Sequence, residues 1–100
     1  MPRIIVVLPA YNEAENLPAL LDRIGGTLGD RPEPWEIVVV NDGSTDATGD
    51  LATEASERLP VSRVDHDRNR GLGPAIKTGL REAVNRSDAP DDIIVCMDAD

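Results

Sequence analysis

One hundred residues with 40% apolar side chains suffice for a single small domain with its own core. A net charge of −9 excludes a general nucleic-acid surface, which needs a basic stripe. A single cysteine excludes an internal disulfide, and no Cys/His cluster has the spacing of a zinc site.

The first apolar run, residues 4–8, is continuous rather than alternating, as in a strand buried on both faces. It is too short for the core of a secretory signal, and no run in the chain approaches the roughly 18 apolar residues of a membrane span. A reducing, cytoplasmic setting fits, and any link to a membrane would come from outside these residues. Pro9 lacks a backbone donor and stops the strand. Asn12 can then cap a helix, with Glu15 at its third position. Tyr11 has no such structural duty. It is the only tyrosine, and its ring can line a flat base while its hydroxyl supplies a polar handle. Glu13 either favours the positive helix start or contacts a ribose or base. Leu17, Leu20, Leu21, Ile24 and Leu28 fall on one helical stripe, and residues 30–34 form a loop.

The second run, residues 36–40, predicts another buried strand, with Trp35 packing just before it. Asn41-Asp42-Gly43-Ser44-Thr45-Asp46 ends it. Ser44 or Thr45 can cap the next helix, and Asp46 suits its positive start. That turn does not require Asp42, whose carboxylate would face a crevice and accept from a base's ring N–H; both readings stand. Leu51, Ala52, Ala55 and Leu59 make a weaker helix stopped by Pro60.

The third run, residues 61–64, is weak. Gly71 and Gly73 open a third helix, where free N–H groups beside Arg68 and Arg70 can meet phosphate, or where a turn simply carries solvated charges. His66 is the only histidine and has no partner placed by the sequence. Leu72, Ala75, Ile76, Gly79, Leu80, Ala83 and Val84 form the clearest apolar stripe, with Lys77 facing solvent. The fourth run, residues 93–97, includes Cys96, expected as a small buried residue. Asp98-Ala99-Asp100 follows. In extended backbone these carboxylates point the same way and repel unless a cation such as Mg²⁺ or Mn²⁺ lies between them. A polar strand end with a solvated turn is the plainer reading.

The order β-α-β-α-β-α-β, with right-handed crossovers, predicts an α/β open parallel sheet with helices on both faces and strand order 3-2-1-4. The gap between strands 1 and 4 is then the switch point, where ligands lie beyond the strands' carboxyl ends. Residues 9–13, Asp42, Asp98 and Asp100 converge on that rim. Strand 4 would be an exposed hydrophobic edge, so the expectation is a fragment truncated after strand 4, with more strands to follow.

PAYNE (residues 9–13), VNDGSTD (40–46), NRGLGPAIKTG (69–79) and MDAD (97–100), in this order, resemble the family 2 glycosyltransferases of GT-A fold, and in particular the dolichol-phosphate mannose synthase branch. The resemblance covers essentially the whole chain. It implies a Rossmann-like, nucleotide-sugar-binding subdomain over residues 1–100, part of a larger catalytic domain. By that resemblance Pro9, Tyr11 and Glu13 line the nucleoside pocket and Asp42 bonds to the base. Asp98 contacts the ribose side, and Asp98 and Asp100 serve a Mg²⁺ or Mn²⁺ ion on the diphosphate. The implied partners are a nucleoside-diphosphate sugar and a lipid-phosphate acceptor at the cytoplasmic face of a membrane. Asn41 departs from the family's frequent Asp-Asp pair. The family's catalytic base and acceptor site lie beyond the D-x-D, outside this chain. A dinucleotide fingerprint and a P-loop are both absent. A non-catalytic nucleotide-binding α/β module is the alternative.

Overall fold

The computed structural model describes residues 1–99. Strands and helices alternate: β1 Ile4–Ala10, α1 Leu17–Gly29, β2 Trp35–Asp42, α2 Thr48–Ala55, β3 Val61–His66, α3 Leu72–Arg86 and β4 Ile93–Cys96. All strand pairings are parallel and the order is β3-β2-β1-β4, as the alternation predicts.

Strand periodicity divides the core into two layers. Ile4, Val6, Leu8, Ile37 and Val39 pack against Leu17, Leu21 and Ile24 of α1 and Ala52 and Ala55 of α2. Ile5, Val7, Val38 and Val40 face the other way, against Ala75 and Ala83 of α3. Every residue of β1 is buried, because it lies inside the sheet and is covered on both faces. Each such Ile, Val or Leu contributes roughly 1.5–3 kcal/mol relative to exposure. Trp35 packs against the first layer, as expected.

α3 differs from its predicted stripe. Ala75, Gly79 and Ala83 are its buried residues, whereas Leu72, Leu80 and Val84 are exposed. The helix lies so close to the sheet that a Cβ on Gly79 would sit 2.2 Å from Val7 Cγ1. Small residues therefore make the contact, and the larger apolar ones are turned away from it. Lys77 is exposed, as predicted.

β4 corrects the expectation for Cys96, which is exposed rather than buried. α3 lies mainly over β1 and β2, so β4 receives little cover; of its residues only Ile94 packs against the α3 layer. On the opposite face Val95 and Met97 join Ile4, Val6, Leu20 and Ile24 along an apolar groove. Among the described residues no strand pairs with the outer edge of β4.

Candidate nucleotide-binding cleft

Two loops at the carboxyl end of the sheet are laced together. Asn12 adopts a left-handed conformation, φ 52°, which Asn tolerates better than most residues. Its N–H donates to Ser44 Oγ at 3.0 Å, and its Oδ1 accepts from the Thr45 N–H at 2.9 Å. The Glu13 N–H donates to Thr48 Oγ1 at 2.9 Å. Asp46 accepts from the N–H groups of Ala14 and Thr48, and from the Thr48 hydroxyl. That hydroxyl, with the backbone donors, holds the Asp46 carboxyl below its ordinary range.

These ties replace the predicted caps. α1 begins at Leu17 with Asn16 at its cap, and α2 is capped by Ala47; neither position makes a side-chain cap bond. Asn12, Ser44 and Thr45 are spent between loops instead. The gain is positional: the segment carrying Tyr11 and Glu13 is fixed to the segment that follows Asp42.

Asp42 is the last residue of β2, two residues beyond the predicted run, and is only 3% exposed. Parallel register places it beside His66, the last residue of β3. Its Oδ1 accepts from His66 Nδ1 at 2.8 Å and from the Arg70 N–H at 2.9 Å. Its Oδ2 accepts from the Gly71 N–H at 3.0 Å. Burial pushes the carboxyl's pKa up, but the bonds from Arg70, His66 and Gly71 outweigh it and hold the group below its ordinary value.

Of the N–H groups at the opening of α3 that could meet phosphate, that of Gly71 is already committed to Asp42, as is the Arg70 N–H just before it. The approach depends on Gly43, at φ 69°: a Cβ there would lie 2.1 Å from the Arg68 carbonyl carbon. Only a glycine lets the 68–71 loop close over the end of β2.

One cavity of about 280 Å³ opens at the rim between β1 and β4. Pro9, Tyr11, Glu13, Asp42 and Asp98 all line it, with Asn69 and Gly71 completing the wall. Tyr11 is 44% exposed, leaving its ring free for a ligand. The sequence-predicted residues within 1–99 therefore share one hollow at the switch point. Asp100, the second acid of the pair, lies outside the described residues.

Among the described residues no group of three His, Cys, Asp or Glu side chains could hold a metal by itself. Asp98, a hard oxygen donor at the cavity wall, suits Mg²⁺ or Mn²⁺ shared with a ligand's phosphates, the usual arrangement for such ions. A buried carboxylate acceptor and a flat ring suit a base, and an exposed acid at the cavity wall suits a cation-bound diphosphate.

Sequence reasoning missed His66 and Thr78. His66 Nε2 lies 2.7 Å from Thr78 Oγ1 of α3, so the ring bridges Asp42 and a helix. The one available signal was that Asp42 and His66 end adjacent parallel strands, and the register that pairs them is a tertiary property.

The model of the family described as "Glycosyl transferase family 2" matches residues 5–100. The chain is 38% identical over 97 residues to undecaprenyl-phosphate 4-deoxy-4-formamido-L-arabinose transferase of Pectobacterium carotovorum subsp. carotovorum (strain PC1), covering 95% of this chain and 28% of that protein. It is 39% identical over 98 residues to dolichol-phosphate mannosyltransferase of Pyrococcus furiosus, covering 98% of this chain and 26% of that one. Among solved structures it is similar to the mannosyltransferase PcManGT from Pyrobaculum calidifontis, in complex with GDP-Man and Mn²⁺. That similarity has a TM-score of 0.77 and 33% identity, over 99% of this chain and 28% of that one. The chain thus spans little more than a quarter of the length of these proteins.

Proposed function

The chain belongs to glycosyl transferase family 2, and on that premise we propose that it forms the donor-nucleotide subdomain of a metal-dependent glycosyltransferase. The observation that carries the reading is the shared cavity of Pro9, Tyr11, Glu13, Asp42 and Asp98. Tyr11 and Pro9 line the nucleoside. Asp42 accepts from the base, Glu13 and Asp98 face the ribose, and Asp98 with Asp100 holds the cation. A divalent cation on the diphosphate supplies Lewis-acid stabilisation of the departing group. The chain's own residues bind and orient: Asp42 fixes the base, and the laced loops fix Tyr11 and Glu13.

The acceptor we assign is a polyprenyl phosphate. Two of the similar proteins carry undecaprenyl-phosphate and dolichol-phosphate in their names. A phosphate monoester has its second pKa at about 6, so at pH 7 it is a largely dianionic nucleophile that needs no strong base. Among the described residues no helix is long and apolar enough to cross a membrane. We assign the reaction to the cytoplasm, at the membrane face where the lipid phosphate is presented, with contacts from regions outside this chain.

The test is titration of the full-length protein with UDP and GDP, with and without Mn²⁺. Binding of one of them, strengthened by the metal and losing that enhancement in Asp98→Asn or Asp100→Asn, is the expected result. No binding of either nucleotide would overturn the reading.

A further inference from the structure

We propose that His66, backed by Thr78, is a positioning residue that holds Asp42 in one orientation and thereby sets base selectivity. This inference rests on the reading of Asp42 as the base acceptor. His66 does not line the cavity; its ring stands behind Asp42, with a side chain 9% exposed.

The hydrogen-bond count gives the logic. A carboxylate only accepts, with about two acceptor sites per oxygen. Oδ1 is filled by His66 Nδ1 and the Arg70 N–H. Among the described residues Oδ2 has the Gly71 N–H as its one protein donor, which leaves it one free site beside the cavity. The ring therefore decides which oxygen is available.

Facing an ionised carboxylate, Nδ1 must carry a proton. In the neutral ring Nε2 is then an acceptor, and Thr78 must donate its hydroxyl hydrogen to it. Thr78 O–H to His66 to Asp42 forms a chain of donors aimed at Oδ1. Removing the ring frees an acceptor site on Oδ1, and the carboxylate loses its one side-chain hydrogen bond among the described residues.

An ionised acceptor discriminates between bases. Uracil and guanine carry a ring N–H that can donate to Oδ2. The corresponding ring nitrogens of cytosine and adenine are acceptors and would face the carboxylate lone pair to lone pair. A well-aligned Oδ2 favours UDP over CDP, or GDP over ADP, whereas a carboxylate held by the Arg70 and Gly71 N–H groups without the ring can tilt, aligns less well with the base N–H and loses part of that preference.

The experiment measures Mn²⁺-dependent affinities of the full-length protein for UDP, CDP, GDP and ADP. Comparison is with His66→Leu, His66→Asn and Thr78→Val, alongside ¹⁵N NMR of the His66 ring. In His66→Leu, affinity for the preferred nucleotide should fall about tenfold, the scale of one bond to a charged group, with CDP and ADP unchanged. His66→Asn, which keeps an N–H donor near Nδ1, should restore most of the preference, and Thr78→Val should cost about threefold. The neutral ring should carry its proton on Nδ1.

Equal loss for all four nucleotides in His66→Leu would mean a merely structural role and would overturn the inference, as would an unaltered preference. A neutral ring protonated on Nε2 would overturn it without any nucleotide, and so covers the case in which His66→Leu does not fold. Failure of the wild type to bind any nucleotide removes the underlying reading instead, and the ring spectrum separates the two failures.

Discussion

Asp42→Asn should destabilise the protein by about 3 kcal/mol at neutral pH. The side chain keeps its size, but an amide has one accepting oxygen where the carboxylate has two. It can still accept from His66 Nδ1 and the Arg70 N–H, now as neutral bonds worth about 1 kcal/mol less each. Its NH₂ then faces the Gly71 N–H, donor against donor, leaving a buried amide unpaired at about 1–3 kcal/mol. Relief from burying a charge returns part of the sum. Urea denaturation of wild type and variant measures the difference. The pH dependence has a fixed sign. The folded-state pKa of Asp42 is depressed, so its contribution is present above the ordinary value of 3.8 and is lost as pH falls through the lower folded value. The gap between the two proteins should thus be full at pH 7 and shrink below about pH 4. A variant within 0.5 kcal/mol of wild type at pH 7, or a gap that widens on acidification, would refute the reasoning.

Gly43→Ala should cost about 3 kcal/mol or more, because it combines left-handed strain with a clash against the Arg68–Asn69 backbone; near-wild-type unfolding would show that the 68–71 loop is not held this way. Gly79→Ala places a Cβ 2.2 Å from Val7 Cγ1 and should be destabilising by about 1–2 kcal/mol, overpacking exceeding the gain in helix propensity. Gly26→Ala, with open space around it, should instead stabilise α1 by up to about 1 kcal/mol, and the two unfolding curves moving in the same direction would contradict this packing. Asp92 accepts from the N–H groups of Arg3, Asp88 and Ala89 and from Ser87 Oγ, and its pKa is pulled down to about 2, chiefly by the Arg3 amide. The amide resonances of Arg3, Asp88 and Ala89 should shift with a midpoint near pH 2, and a midpoint near 4 would show that the turn lacks these bonds.

The continuous Val/Ile runs and the helical spacing between them carry the fold because they are local patterns with few topological solutions. Parallel strands need crossovers, crossovers are right-handed, and strand order 3-2-1-4 follows. The rim was legible for the same reason: Pro9, Tyr11, Glu13, Asp42 and Asp98 all lie at or just beyond the carboxyl ends of strands, and strand ends in such a sheet share an edge. Caps were misread because Asn12, Ser44 and Thr45 serve equally well within a segment or between segments, and only the distance between the two loops decides which. Cys96 was misread because an apolar run does not say whether its strand is covered.

The sequence by itself thus determined the sheet, its order and the edge on which the polar residues gather, since hydrophobic periodicity and chain chirality act over short stretches. Only the tertiary structure decided that Asp42 meets His66, Arg70 and Gly71, and that Thr78 stands behind the ring. Those contacts join residues 24 to 29 positions apart around Asp42. They exist only because register sets two strand ends side by side and Gly43 lets a loop close on them.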